Sequence, residues 1–258
     1  VTSKDYLGLP PLSEYQYTAI RAMSQIYKKE TLIHLYGEEI ANKRWKQTMN
    51  EVILQLGKGS GKDYMSTIAG SYIVYLLLSL KDPAKYYGKP PGDAIDIINI
   101  AVNADQAKRV FFDNFKKRIE NCPWFNGKYN AKQNVIEFDK ISGFAIDNTT
   151  GHDQAKTAGA IYDMYKASVD SRFPDFGKVI LLSFPRYKND YIQQRYNAVV
   201  GDKETIIREY EFVIDEEGDP FDHQNRFSVQ WEEDNILAYR VPKVFALRRP
   251  TWEVNPTR

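Results

Sequence analysis

A glycine-rich stretch at residues 56–63, Leu-Gly-Lys-Gly-Ser-Gly-Lys-Asp, limits the fold of this chain more than any other feature. An apolar run, Val52–Leu56, precedes it, and a long helical pattern begins at Tyr64. Glycines let backbone N–H groups curl around an anion, the following helix N-terminus adds partial positive charge, and a lysine reaches the terminal phosphates. The stretch therefore predicts a phosphate-binding loop between a strand and a helix, and hence a nucleotide-binding protein.

Two positions depart from the usual pattern of such a loop. Leu56 stands where the first glycine is expected, and Asp63 stands where a Ser or Thr hydroxyl normally ligates Mg²⁺. A carboxylate is also a hard oxygen ligand, so Asp63 is predicted to ligate Mg²⁺ directly or through water. A Gly/Lys-rich surface turn is the alternative, but the flanking strand and helix favour nucleotide binding. The predicted contacts to ATP phosphates come from Lys58, Gly59, Ser60, Gly61, Lys62 and Asp63.

Composition narrows the class of protein. The chain has 258 residues, 43% of them hydrophobic, which is enough for one large α/β domain or two small ones. Its net charge of +1 provides no global basic field, so any contact with nucleic acid must come from a local patch. A single cysteine, Cys122, rules out an intrachain disulfide and fits a reducing compartment. The most apolar run, Ile68–Leu80, is too short to span a bilayer, so we expect no membrane partner.

Strands and helices alternate along the chain. Apolar runs at Ile95–Asn103 and Gly177–Pro185 predict buried strands, and helical patterns follow both of them. Glu30–Met49 reads as one charged helix, after a first helix capped by Ser13. This alternation predicts an α/β fold with a mostly parallel sheet and helices on both faces. The predicted parts are a helical segment on the adenine side at 1–50, an ATPase core at 51–204 and a β-rich lid or linker at 205–258.

Tyr15 and Gln16 are candidates for adenine binding. A glutamine amide can donate to and accept from the adenine edge, and an aromatic ring can stack on the base. The alternative is a surface glutamine beside a core tyrosine, which this stretch alone favours.

Taken together, these motifs resemble the ATPase domain of bacteriophage large terminases, the motors that package viral genomes. Members of that family carry a variant loop with Arg or Lys ahead of the Gly-Lys pair, as Lys58 lies ahead of Gly61-Lys62 here. The adenine-binding glutamine of the family matches Gln16. Its coupling motif, an apolar strand ending in Ser or Thr, matches Val179–Ser183.

The resemblance implies a specific function. It implies a P-loop NTPase of the ASCE or RecA-like type that hydrolyses ATP with Mg²⁺, with Lys58 sensing the γ-phosphate and Ser183 coupling hydrolysis to movement. It implies double-stranded DNA, a portal protein, a small terminase subunit and a ring of identical subunits as partners, in the cytoplasm of the infected bacterial host. The nuclease domain of the family is expected to follow the motor portion and has no counterpart in this chain.

One part of the pattern is missing. An ATPase of this class needs a Walker B strand, in which apolar residues precede an Asp for Mg²⁺ and a Glu that activates water. The nearest stretch, 135–140, is interrupted by Glu137 and has Lys140 in place of the catalytic Glu. Our hypothesis is that a segment holding this strand is absent between Lys140 and Ile141. The alternative is a variant in which Asp139 holds Mg²⁺ and hydrolysis is impaired.

Two rival functions remain open. The first is another P-loop motor acting on nucleic acid, such as a helicase, and the second is a nucleotide-binding module without hydrolysis. Arg109, Arg172 and Arg186 are candidates for a trans-acting arginine, although a surface or ion-paired role is favoured for each. A basic cluster on one helix is favoured as a solvated face over a DNA-facing patch; it contains Lys108, Arg109, Lys116, Lys117 and Arg118.

Overall fold

In the computed structural model, the described residues are 3–46, 48–101, 107–147, 158–183, 190–200, 229–232, 235–240 and 244–255. The chain forms two compact units. Unit 1 contains Val1–Leu12 and Asp63–Met164, and unit 2 contains Ser13–Lys62 and Tyr165–Arg258. This grouping differs from the predicted division at residues 50 and 204, because strands from the last third of the chain pair with the strand that precedes the glycine-rich loop.

The described residues form nine α-helices of 4 to 17 residues and nine strands. The helices are Glu14–Ser24 (α1), Lys29–Tyr36 (α2), Glu38–Lys46 (α3), Lys62–Leu78 (α4), Pro83–Tyr86 (α5), Asp113–Asn121 (α6), Ala158–Arg172 (α7), Tyr191–Val200 (α8) and Thr251–Val254 (α9). The strands are Glu51–Leu56 (β1), Ile95–Ala101 (β2), Tyr129–Ala131 (β3), Val135–Phe138 (β4), Ile141–Asp147 (β5), Val179–Ser183 (β6), Val229–Glu232 (β7), Asn235–Arg240 (β8) and Val244–Arg249 (β9). A π-helical turn, Ala107–Phe112, leads into α6.

The sheet of unit 2 is built around β1. Its strand order is β6-β1-β9-β8-β7, with β1 parallel to both β6 and β9. Every residue of β1 is buried, as the apolar run in the sequence predicts for an interior strand. At the start of β1, the Glu51 carboxylate accepts two hydrogen bonds from Arg195 Nη2 of α8, at 2.7 and 2.8 Å. Because β1 is flanked on both sides, the loop that follows it lies between the carboxyl ends of two neighbouring strands.

The sheet of unit 1 has the order β2-β5-β4-β3. Across the strands described in both units, three pairings are parallel and four are antiparallel. The α/β class is confirmed, but the sheets are mixed rather than mostly parallel. The antiparallel pairings come from two meanders, β3-β4-β5 and β7-β8-β9, whose short connections can join only antiparallel neighbours.

Three local predictions need correction. The stretch Glu30–Met49 is not one helix, because Gly37 adopts a φ of 80° and ends α2 before α3 begins. Among the described strands, β2 lies at the edge of its sheet rather than being fully buried, and Ile98 is 38% exposed. Strand β5 was not predicted, although it pairs with β2 along its whole length.

The turn between β4 and β5 bears on the missing Walker B strand. Phe138 pairs with Ile141 across a tight turn, and Lys140 in that turn has a φ of 59°. Lys140 Nζ also forms an ion pair with Asp82 Oδ2 at 3.2 Å. The given sequence therefore passes from Lys140 to Ile141 as a closed hairpin, and the absence of a strand-bearing segment at that bond stays a hypothesis.

Among the described residues, no helix is both long enough and apolar enough to cross a bilayer.

Candidate phosphate-binding site

The glycine-rich loop has the conformation that its sequence predicts. Strand β1 ends at Leu56, helix α4 begins at Lys62, and the residues between them form the loop. Gly59 and Gly61 have φ values of 88° and 84°, a left-handed conformation that side chains disfavour. Ser60 N donates to the Gly57 carbonyl at 3.2 Å and closes a turn. The strand, loop and helix arrangement expected of a phosphate-binding loop is therefore present.

The segment that leaves β9 holds the outer side of this loop. We call residues 249–255 the exit segment. Thr251 Oγ1 donates to the Lys58 carbonyl at 3.0 Å, and Asn255 Nδ2 donates to the Gly59 carbonyl at 3.3 Å. In a loop whose N–H groups face an anion, the carbonyls point away from it and need donors of their own. The exit segment supplies those donors and so fixes the loop in shape.

The exit segment passes so close to the loop that it explains why the first glycine stands at position 57. A Cβ atom at Gly57 would lie 2.3 Å from Thr251 Oγ1 and 3.1 Å from Thr251 N. Gly57 N also donates to the Arg249 carbonyl at 3.3 Å. Leu56, by contrast, is the last residue of β1 and is fully buried in the core. The glycine requirement has therefore moved by one residue from the usual pattern.

We expect Thr251→Val to weaken ATP binding about fivefold, measured by titration with a fluorescent ATP analogue and Mg²⁺. Valine keeps the branched shape but removes the donor to the Lys58 carbonyl, and a hydrogen bond of this kind contributes about 1 kcal/mol. Thr48→Val is a matched control, because Thr48 lies before β1 and its buried hydroxyl has no hydrogen-bond partner in the described part of the chain. Equal affinity of the two variants would show that the exit segment does not shape the loop.

The predicted adenine-binding pair lies at the start of α1. Gln16 Oε1 accepts from Ser13 N at 3.1 Å, and Ser13 Oγ accepts from Gln16 N at 3.3 Å. This reciprocal pair is a capping box, which confirms Ser13 as the N-cap and gives Gln16 a structural role. Gln16 is 8% exposed. Its contact with adenine stays a prediction.

Arg249 is a neighbour of the loop that sequence reasoning missed. Its guanidinium lies over the Tyr15 ring, 4.9 Å from the ring centroid, and its Nε is 3.6 Å from Glu253 Oε2. The Arg249 side chain is entirely buried. Ser13 Oγ donates to the Val254 carbonyl at 2.7 Å, so the start of α1, the exit segment and the loop form one connected cluster. In the sequence, the signal for this position was the pair Arg248-Arg249 at the end of the apolar strand β9.

The predicted coupling residue lies beside the strand that carries the loop. Ser183 ends β6 and is in register with Gln55 of β1, while Gln55 is also in register with Arg248 of β9. The structure therefore brings Ser183 to the same sheet edge as the loop. Residues 184–189, including Arg186, lie outside the described part of the chain.

Some groups around the loop suit Mg²⁺. Asp63 is the second residue of α4, and the Ser60 hydroxyl is fully buried without a hydrogen-bond partner among the described residues. Mg²⁺ in nucleotide sites is held by one or two protein oxygens together with phosphates and water, so a carboxylate or a hydroxyl suits the ion in chemical type. Within the described ranges, no cluster of three or more His, Cys, Asp or Glu side chains could hold a metal by itself.

The β4 strand does not supply the Walker B carboxylates. Glu137 faces outward and binds Lys132 Nζ at 2.6 Å, and Asp139 is exposed in the hairpin turn. Strand β4 is also antiparallel to both of its neighbours. None of the strands described here runs into an Asp-Glu pair. The structure therefore does not support the alternative in which Asp139 holds Mg²⁺.

The predicted basic cluster in unit 1 is not one continuous face. Arg118 Nε donates to Thr67 Oγ1 at 2.7 Å, and its guanidinium lies 4.6 Å from the Tyr64 ring centroid. Burial lowers the pKa of Arg118. Lys116 Nζ donates to the Lys132 carbonyl at 3.1 Å. Arg118 is thus part of the packing around α4, so the prediction of a solvated face is wrong for this residue.

Three other charged groups in the described part of the chain are Asp82 and two of the candidate arginines, Arg109 and Arg172. The Lys85 N–H, followed by the Lys140 ammonium, holds the pKa of the Asp82 carboxyl below its ordinary value. Arg109 and Arg172 are both exposed. Neither arginine is in a position that identifies it as a trans-acting group.

Comparison with known proteins gives a family. The model described as "Uncharacterized protein MJ0330, N-terminal P-loop domain" matches residues 1–137 and 129–258. Uncharacterized protein MJ0330 of Methanocaldococcus jannaschii is 26% identical in an alignment of length 213, which covers 70% of this chain and 37% of that protein. No solved structure matches the chain. These matches support a P-loop domain, and neither of them carries a terminase or viral description. The chain belongs to the family of N-terminal P-loop domains typified by MJ0330.

Proposed function

We propose that this chain is an ATP-hydrolysing motor domain that moves double-stranded DNA in the manner of a large terminase. The observation that carries the proposal is the position of β6. This strand is parallel and adjacent to β1, so Ser183 lies at the sheet edge where the phosphate-binding loop begins. A change at the terminal phosphate can therefore reach a second strand directly, as a coupling residue requires.

The loop residues have distinct roles in this proposal. Lys62 binds the β- and γ-phosphates, and the backbone N–H groups around Gly59 and Gly61 surround the β-phosphate. The Lys58 side chain is exposed while its carbonyl is held by Thr251, so the ammonium group is available to approach the γ-phosphate. Asp63 would hold Mg²⁺, and the ion would supply positive charge that offsets the charge of the phosphates. Tyr15 and Gln16 contact the adenine.

Binding without hydrolysis is the second candidate function. It is favoured by one observation, namely that Lys140, in the place of the expected catalytic Glu, is ion-paired with Asp82 and belongs to a hairpin turn. In that case the domain would bind ATP tightly and change shape without releasing phosphate.

Phosphate release by the full-length protein separates these functions. The first assay measures phosphate release from ATP and Mg²⁺, with and without added linear duplex DNA. The second assay measures whether the protein, as it moves along a duplex, displaces a third strand bound to that duplex as a triplex. We expect duplex DNA to stimulate phosphate release and the third strand to be displaced. Strand separation on a forked substrate would instead indicate a helicase, ATP binding without phosphate release would indicate the binding module, and absence of ATP binding would refute the site.

A further inference from the structure

Three polar residues form a row across neighbouring strands, near the carboxyl ends of the strands and beside the loop. Gln55 of β1 is in register with Ser183 of β6 on one side and with Arg248 of β9 on the other. Residues in register on parallel strands project to the same face of a sheet, and ligands of open α/β sheets bind outside the carboxyl ends of the strands. The row therefore combines a hydroxyl, a carboxamide and a guanidinium at a ligand-binding edge.

Gln55, at the centre of this row, is buried without satisfying its own hydrogen-bonding groups. It is 2% exposed, and neither Nε2 nor Oε1 has a hydrogen-bond partner among the described residues. Its neighbours in β1, Leu54 and Leu56, are fully buried aliphatic side chains. A buried amide without partners destabilises a protein, and an apolar residue at the same place would avoid that cost. An unsatisfied amide at this position is explained if a ligand completes its hydrogen bonds.

We propose that Gln55 recognises the terminal phosphate of a bound nucleoside triphosphate and so distinguishes it from the diphosphate. This inference rests on the proposed nucleotide binding by the loop. The loop surrounds the β-phosphate, so the third phosphate of a triphosphate extends beyond it towards the strand ends. There Nε2 donates to a γ-phosphate oxygen, and Oε1 accepts from a water bound to that phosphate.

The chemistry of the row supports this choice of ligand. Arg248 contributes a cation on one side of Gln55, which favours an anion at the same edge. A glutamate at position 55 would be similar in size but would repel the phosphate, whereas the carboxamide donates to it without adding charge. Ser183 on the other side can then respond to the same group.

The test measures affinity and thermal stability in the full-length protein. The ligands are a non-hydrolysable ATP analogue with Mg²⁺ and ADP with Mg²⁺, and the variants are Gln55→Leu and Thr48→Val. Both variants remove a buried polar group that lacks a partner in the described residues, so each should raise the Tm of the unliganded protein by about 2–4 °C. We expect Gln55→Leu to lower affinity for the triphosphate analogue about tenfold and to leave ADP affinity unchanged. Thr48→Val should leave both affinities unchanged.

The outcomes separate this inference from the function on which it rests. If wild type binds neither ligand, the proposed function fails. If wild type binds both and Gln55→Leu keeps the wild-type ratio of triphosphate to diphosphate affinity, only the role of Gln55 is refuted. Gln55→Met, which is unbranched and of similar length, gives the same measurement if the leucine variant does not fold.

Discussion

Replacing Lys62 with alanine is expected to abolish ATP hydrolysis by the full-length protein while leaving its fold intact. Lys62 is the first residue of α4 and follows directly on the loop, so its ammonium group is the cation placed to bind the β- and γ-phosphates. Loss of one preorganised group that stabilises charge in the transition state lowers turnover by about 10²–10³. Phosphate release measures the activity, and circular dichroism with thermal unfolding measures the fold.

Lys29→Ala is a matched control for this variant. Lys29 is also the first residue of a helix and is also partly buried, but it begins α2 and has no phosphate-binding loop before it. We expect its turnover to equal that of wild type. Lys62→Arg keeps the positive charge but replaces the compact ammonium group with a planar guanidinium. Partial activity of this variant would indicate that the position of the charge matters as well as its presence. Unchanged turnover in Lys62→Ala would falsify the assignment of the loop as the nucleotide site.

The largest loss of stability is expected from Arg195→Ala, at about 3–5 kcal/mol in the free energy of unfolding. Arg195 Nη2 binds both carboxylate oxygens of Glu51, and the Glu51 side chain is only 3% exposed. Removal of the arginine leaves that carboxylate buried at the start of β1 without its counter-ion. Urea denaturation at neutral pH measures the effect. Because β1 is paired on both sides, with β6 and with β9, the loss should be cooperative across unit 2.

Lys166→Ala shows what an ordinary surface pair contributes. Lys166 and Asp170 form an ion pair at 2.7 Å within α7, with side chains that are 27% and 48% exposed. We expect this variant to lose less than about 0.5 kcal/mol. The double variant with Glu51→Gln and Arg195→Ala should recover part of the loss, since it removes the buried charge. If Arg195→Ala is no more destabilising than Lys166→Ala, the buried pair does not hold β1 in place.

Features set by local chemistry were predictable from the sequence. The loop was predictable because its glycines, its lysine and the apolar strand before it lie within a dozen residues. The N-cap at Ser13 was predictable because a side chain three residues away completes it. The break at Gly37 was missed, although a glycine in a charged helical pattern is the usual signal for such an end.

Features set by distant contacts were not predictable. The β-rich character of the last part of the chain was apparent, but its amino-acid pattern does not reveal that β9 lies parallel to β1. Parallel neighbours are joined by long crossovers, so no short-range signal marks them. The buried Arg249 and the donors Thr251 and Asn255 depend on that pairing, and for the same reason their proximity to the loop could not be inferred. The terminase resemblance was more specific than the family comparison supports.

The two side-chain hydrogen bonds that hold the loop, from Thr251 and Asn255, also determine when the loop can fold during synthesis. Thr251 and Asn255 follow their carbonyl partners by 193 and 196 residues, so the loop cannot take its final shape when it is first synthesised. At the roughly 5–20 residues per second of translation, that interval lasts on the order of 10–40 seconds. Contacts between such distant parts of a chain are slow to form. A nascent chain therefore acquires its affinity for nucleotide late, after its exit segment has emerged from the ribosome, and nucleotide cannot act as an early template for its folding.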